Sequence, residues 1–236
     1  AWTSADGGAK WRKWVLNTTA EGIERTGGKY PNPSQAYPGY SAETPVYKDS
    51  VPMETLYESQ SDAQPGICYS IGDVKELEML AKFVNEGHNT EGATFFLTGD
   101  LSIVINGSFY KGESWVPIGN SETNSFKGVF DGRGYNIDGY AGGEWHSFLY
   151  RLGDNAVLRN ISFTNVDRTK MIAPILTQDN WANSNIVIEN IYIHYSNFVA
   201  NGKGLLVGGV ARNNITYRNI LVEADQTSGD TKESVV

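Results

Sequence analysis

The chain has 236 residues, of which only 19% are charged, with 26 glycines and a net charge of −8. That balance argues against nucleic-acid or anionic-membrane partners, since no basic cluster offsets the negative excess. A lone cysteine, Cys68, excludes a disulfide framework and a thiolate zinc site. No apolar run approaches the roughly 18 residues of a membrane-spanning helix.

Residues 1–65 hold six of the eight prolines and five tyrosines, among them Tyr30, Tyr37, Tyr40, Tyr47 and Tyr57. Tyr/Pro alternation without hydrophobic periodicity favours extended or turn backbone, so an irregular arm or linker is expected here. Trp2, Trp11 and Trp14 need something to pack on, which argues against a purely disordered arm. The chain opens at Ala1 without Met or a signal-type apolar run, as a mature secreted form or an excised fragment would.

Within residues 66–92 one helix is expected, over 73–86. Asp73 is a suitable N-cap, Glu76 completes a capping-box-like pair, and Gly87 supplies the stop. Val74, Leu77, Leu80, Ala81 and Val84 recur at helical spacing and form one apolar face. Placed ahead of a strand-rich region, such a helix would cover the open end of a β stack. Cys68, between Ile67 and Tyr69, reads as a small hydrophobe rather than a nucleophile.

Residues 93–223 are expected to form that stack. Phe95-Phe96-Leu97-Thr98, Leu101-Ser102-Ile103-Val104-Ile105 and Val129-Phe130-Asp131 are short strand-like runs punctuated by glycine. A phrase then returns: Asn160-Ile161-Ser162-Phe163, Asn190-Ile191-Tyr192-Ile193 and Asn219-Ile220-Leu221-Val222, with Asn spacings of 30 and 29. A fainter relative, Tyr135-Asn136-Ile137, precedes them. Short β-like runs repeating at this period imply stacked coils rather than a sandwich or helical bundle.

Leu158, Ile188 and Tyr217, with Ile161, Ile191 and Ile220, should point inward. The asparagine between them breaks the alternation and marks a bend, because Asn tolerates left-handed backbone. Asn160, Asn190 and Asn219 would then form a structural ladder at the roughly 4.8 Å strand spacing. Arg159, Glu189 and Arg218, one residue earlier, would stack as alternating charges on the outer face. Apolar arms at Phe148–Tyr150, Met171–Leu176 and Gly204–Val210 precede the Asn phrases. Residues 224–236 form a polar tail. It holds no capping helix or further coil, so the last edge is expected to meet further chain or another subunit.

Three blocks together resemble a known family. They are Asp73–Leu77 through Val84–Gly87, Phe96–Leu101, and Trp115–Gly119 with Phe126–Ile137; Gly204-Leu205-Leu206-Val207-Gly208-Gly209-Val210 adds to them. The chain over about 66–223 is similar to the opening module of bacterial surface proteins with GLUG-type repeats, also seen in large adhesins and beside secreted IgA-cleaving proteases. The resemblance implies a right-handed parallel β-helix, secreted or anchored at the cell surface, serving as an adhesive or structural module.

Parallel β-helices also house polysaccharide lyases and glycosidases, which need facing carboxylates. Asp131, Asp138, Glu144 and Asp154 are the candidates, but Asp131 and Asp138 sit in Gly-rich turns where Asp serves the backbone. Asp100 reads as a corner residue. His88, His146 and His194 have no metal-ligand spacing, so no metal, cofactor or catalytic residue is assigned. Glu144-Trp145-His146 is the cluster best suited to sugar contact, by ring stacking plus hydrogen bonds. The expectation is therefore an all-β chain with an N-terminal capping helix, preceded by the irregular arm. It would act outside the cell in adhesion or surface structure, on a glycan or a surface protein, with head-to-tail self-association into a filament as a further option. A carbohydrate-active enzyme is the alternative.

Overall fold

The computed structural model describes residues 2–3, 11–16, 47, 49–105, 108–109, 116–139, 147–168, 176–178, 185–200 and 215–229. Ahead of the main stack lie β1 (Trp2–Thr3), β2 (Trp11–Leu16), β3 (Val51–Pro52), α1 (Met53–Ser59), β4 (Cys68–Ile71) and α2 (Val74–Asn85). The strands β5 (Thr94–Leu97), β6 (Leu101–Ser102), β7 (Val104–Ile105), β8 (Ser108–Phe109), β9 (Val129–Asp131) and β10 (Asn136–Asp138) follow. The last are β11 (Leu149–Arg151), β12 (Val157–Arg168), β13 (Leu176–Gln178), β14 (Ile186–Ala200) and β15 (Ile215–Gly229).

These strands form a parallel β-helix of about four turns. On the first face, β3, β4, β5, β9, β12, β14 and β15 pair side by side, all parallel. On the second, β6, β10 and the later part of β12 pair in the same sense. The third is marked by the Ile118–Leu149 and Phe126–Leu152 bridges and by the β11–β13 pair.

Register turns the coils into vertical columns. Tyr69, Phe95, Phe130, Leu158, Ile188 and Tyr217 are successive partners, and all six are buried. Leu101, Ile137, Phe163, Ile193 and Val222 make a second buried column around the bend. A one-residue slip would turn each coil inside out, so these columns lock the register. Each fully buried side chain contributes about 1.5–3 kcal/mol of transfer free energy. Edge-on rings add to this where Phe148 sits 5.4 Å from Phe130 and 5.1 Å from Phe163.

Helix α2 follows its sequence signals closely. The Asp73 carboxylate accepts from the Glu76 N–H at 2.8 Å, while the Glu76 carboxylate reaches back to the Gly72 N–H at 2.6 Å. At the other end Gly87 takes φ +97°, with Gly87 N–H to Val84 and His88 N–H to Phe83, a Schellman stop. The His88 ring stacks on Phe83 at 4.5 Å, the side-chain contact that accompanies this stop. Leu77, Leu80, Ala81, Phe83 and Val84 are buried in the same core as the β columns. Two amides from the next coil, Asn120 and Asn124, donate to the Asn85 carbonyl at 3.0 and 2.9 Å and anchor the helix end.

Three features differ from expectation. The stretch 1–65, read as an irregular arm, contributes β1, β2, β3 and α1, and the parallel sheet begins with β3 and β4 rather than near residue 93. Strand β15 runs to Gly229, into the stretch read as a polar tail. Its outer edge meets β2, which lies antiparallel with Ile220 opposite Leu16 and Asp225 opposite Trp11, and β1 pairs outside β2. Composition alone reads the polar residues 223–229 as tail, whereas their backbone continues the pairing with β14. Met171–Ile175 and Gly204–Val210, expected as apolar arms, lie outside the described residues.

Tight corners impose their own demands. A Cβ at Gly132 would lie 2.5 Å from the Ile161 Cβ and 2.6 Å from the Asn160 carbonyl oxygen, whereas at Gly99 it would meet nothing within 4 Å. Gly132→Ala should therefore destabilise the fold by about 1–3 kcal/mol, and Gly99→Ala by less than about 0.5 kcal/mol. Urea unfolding midpoints of the two variants check the contrast.

Candidate functional site

The polar centre of the molecule is the bend between the first and second faces. Asn160, Asn190 and Asn219 occupy it with φ of 56°, 55° and 50°. In this left-handed conformation a β-branched residue would be strained, while Asn adopts it readily. The backbone turn also aims each side chain along the stack. Asn219 Nδ2 donates to Asn190 Oδ1 at 2.9 Å, and Asn190 Nδ2 donates to Asn160 Oδ1 at 2.8 Å.

The ladder ends on a charge. Asn160 Nδ2 donates to Asp131 Oδ1 at 3.1 Å, and Asp131 is fully buried. The same oxygen accepts from the Arg133 N–H at 2.8 Å. Asp131 Oδ2 accepts from Tyr47 Oη at 2.6 Å and from Arg159 Nε at 2.9 Å. Four donors thus occupy the roughly four lone-pair positions of one carboxylate. Arg159 Nη2 in turn donates to Tyr47 Oη at 3.1 Å, closing a triangle. Tyr47 packs its ring 4.4 Å from Phe96, and the Arg133 guanidinium lies 5.5 Å above the same ring's centre.

Burial, followed by the hydrogen bond and charge of Asp131, pushes the Tyr47 phenol up to about 12. Burial alone would lower the Arg159 guanidinium, but the Asp131 charge and the Tyr47 hydroxyl outweigh it and raise it above its ordinary value. Both groups therefore hold their protons throughout the physiological range.

Arg159, Glu189 and Arg218 lie in register one position before the asparagines, and Asp131 heads the same column. The bonds group in pairs: Arg159 with Asp131, and Arg218 Nη2 with Glu189 at 2.7 Å. Arg218 is nearly half exposed, so the second pair adds at most about 1 kcal/mol. Asn136 does not belong to the ladder. It pairs with Ser162, and its amide donates to Thr164 at 2.7 Å.

Asp138 anchors a smaller polar group at the far end of the second face, accepting from Thr164 Oγ1 at 2.8 Å and Asn165 Nδ2 at 2.6 Å. Asp100 accepts from the Asn136 N–H at 2.8 Å. Asp154 is exposed in the turn before β12. Glu144, Trp145 and His146 lie outside the described residues, between β10 and β11 in the chain. Among the described residues no group of three or more His, Cys, Asp or Glu side chains could hold a metal ion. Cys68 is half-buried.

Sequence reasoning assigned Asp131 to a turn and missed it as the root of the ladder. The signal was there, since Asp131 precedes Arg159 by nearly one repeat period and so falls in the same column. Tyr47, distant in sequence and lying in the Tyr/Pro-rich stretch, carried no such signal.

Replacing Asn190 with Ala should cost about 2–4 kcal/mol, from two lost hydrogen bonds and from Ala tolerating left-handed backbone less well than Asn. Asn190→Gly should recover the backbone part only, which denaturant titration of both variants resolves. Tyr47→Phe should cost about 1–3 kcal/mol at neutral pH by leaving one Asp131 position unfilled. Because the folded-state phenol lies above its unfolded value near 10, its contribution is complete below about pH 10 and is lost toward about 12. Wild-type stability should fall across that window with a component that the Phe variant lacks, as urea midpoints from pH 8 to 12 would record.

Comparison with known proteins gives one relative to report. The chain is 28% identical over 132 residues to a protein of Evansella cellulosilytica whose name describes a Gly-rich membrane protein. The match covers 53% of this chain and 14% of that relative, so the chain spans well under two thirds of its length. No family model matches, and no solved structure does.

Proposed function

We propose that this chain is an extracellular, non-enzymatic module for adhesion or surface structure, of the GLUG-type β-helix kind, secreted or held at the cell surface within a larger protein. The observation that carries the reading is the saturation of Asp131. The most enclosed carboxylate of the coil corners accepts four hydrogen bonds and has no lone pair left for proton transfer to a substrate. Asp138 is likewise engaged by its neighbours within the stack.

Further support comes from architecture. A β-helix is a rigid rod whose corners carry loops of free length and sequence, a form suited to displaying contacts rather than enclosing a reaction. The long relative named as a membrane protein is consistent with a module borne on a larger surface chain. No helix among the described residues is long and apolar enough to cross a membrane. The ligand we infer is a glycan or glycosylated surface protein, contacted through the segment containing Glu144, Trp145 and His146.

A glycan array read together with a reducing-sugar assay tests this. Saturable binding is expected without release of new sugar ends, and Trp145→Ala should weaken binding by about three- to tenfold, the value of one ring-stacking contact. Release of reducing ends or unsaturated uronates would instead establish a hydrolase or lyase.

A further inference from the structure

The last coil and the first segment of the chain meet at one sheet edge. Strand β15 has 15 residues, and β14 pairs with it from Ile215 through Gly229. On the other edge β2 covers only Ile220–Asp225, six register pairs, in antiparallel sense. Register sets Lys13 opposite Glu223, a buried residue whose carboxylate accepts from Tyr192 Oη at 3.2 Å. Coverage stops one residue short of Asn219, whose Nδ2 serves Asn190 below.

The tether joining β2 to the rest is long. In sheet order β2 and β3 stand at opposite ends, seven strand spacings apart. At about 4.8 Å each, that is a span of roughly 34 Å. Tyr47 is held at the Asp131 corner, so residues 17–46 join β2 to that anchor, 30 in all with four prolines, and their extended reach is about 100 Å. Such a tether can return β2 to its own edge or deliver it to another molecule, and the contacts made are the same either way. The balance is set by effective concentration alone, on the order of millimolar for a tether of this kind.

We propose that β2 is an exchangeable donor strand. Where copies of this chain are crowded, as on a surface, the β2 of one copy occupies the β15 edge of another and links β-helices through their last coils. Six antiparallel pairs on an otherwise parallel stack form a local unit that opens without unfolding the coils, and an open edge recruits the nearest matching strand. The inference stands on the β2–β15 register and tether length, independently of any glycan reading.

Disulfide trapping on the full-length chain decides it. Arg12 and Ala224 are register partners, so one preparation carries Arg12→Cys and another Ala224→Cys, both with Cys68→Ser. Mixed and oxidised, the two should form a covalent heterodimer. Its share should rise about tenfold for each tenfold increase in concentration while it stays small, by mass action. Adding Val15→Pro, a residue that fits poorly inside a strand paired on both edges, should abolish the product. A chain carrying both cysteines should cross-link within itself at low concentration. The proposal is overturned if that double variant closes internally while the mixture yields no heterodimer up to millimolar chain. It is equally overturned if neither cross-links, since β2 would then not occupy the β15 edge.

Discussion

A buried carboxylate sets the terms for the rest of this molecule. Taking an ionised Asp out of water costs several kcal/mol unless charge and hydrogen bonds replace its hydration. Asp131 obtains both, from four donors on three chain segments: the Tyr47 hydroxyl, the Arg133 backbone, and the Arg159 guanidinium and Asn160 amide of β12. Losing any one leaves a desolvated acceptor, so the four are held together more tightly than a surface ion pair would hold them. Charge-assisted bonds are roughly twice as strong as neutral ones. Placing the charge at the base of the ladder therefore fixes the first rung most firmly.

The rungs above inherit that orientation. An amide donating to a carboxylate is polarised, and its own carbonyl becomes a better acceptor for the next amide. The direction of donation is uniform from Asn219 to Asn190 to Asn160 to Asp131. Uniformity removes the twofold ambiguity that an isolated asparagine ladder would have, since the carboxylate accepts but cannot donate. Hydrophobic columns make the coils stack and hold their register; the directed ladder adds a polar tie from coil to coil at the bend. The inner columns supply most of the free energy and the corner supplies the geometry.

Much of this was legible before any coordinates. The 30- and 29-residue spacing, the inward Leu158–Ile188–Tyr217 column and the bend at each Asn follow from periodicity and from what Asn backbone tolerates. The α2 signals were equally local: a cap, an apolar face and a glycine. What was not legible was non-local. Tyr47 reaches Asp131 across 84 residues, and no periodic signal links them. Strand β2 is short and pairs with a coil some 200 residues away, so its Trp and Lys residues looked like parts of an arm. Helix α1, seven residues long, is too short for a periodic pattern to stand out. Repeats announce themselves because each coil is specified by its neighbour; the parts that close the ends are used once and leave no pattern.

That asymmetry bears on how the stack behaves as a whole. An open solenoid is nearly one-dimensional, with each coil stabilised by its neighbours and the terminal coils weakest. Here one stretch of chain touches the array at two places. Tyr47 sits on the Asp131 corner near the start of the stack, and β2 lies on β15 at its end. Loss of the β15 contact releases only a tethered strand, and Tyr47 still holds the tether at the Asp131 corner. Loss of the Tyr47 contact removes one of the four donors from the carboxylate on which the ladder depends. The first event is local and reversible, the second propagates along the directed column. A β-helix built this way would be able to exchange its end strand without loosening the coils.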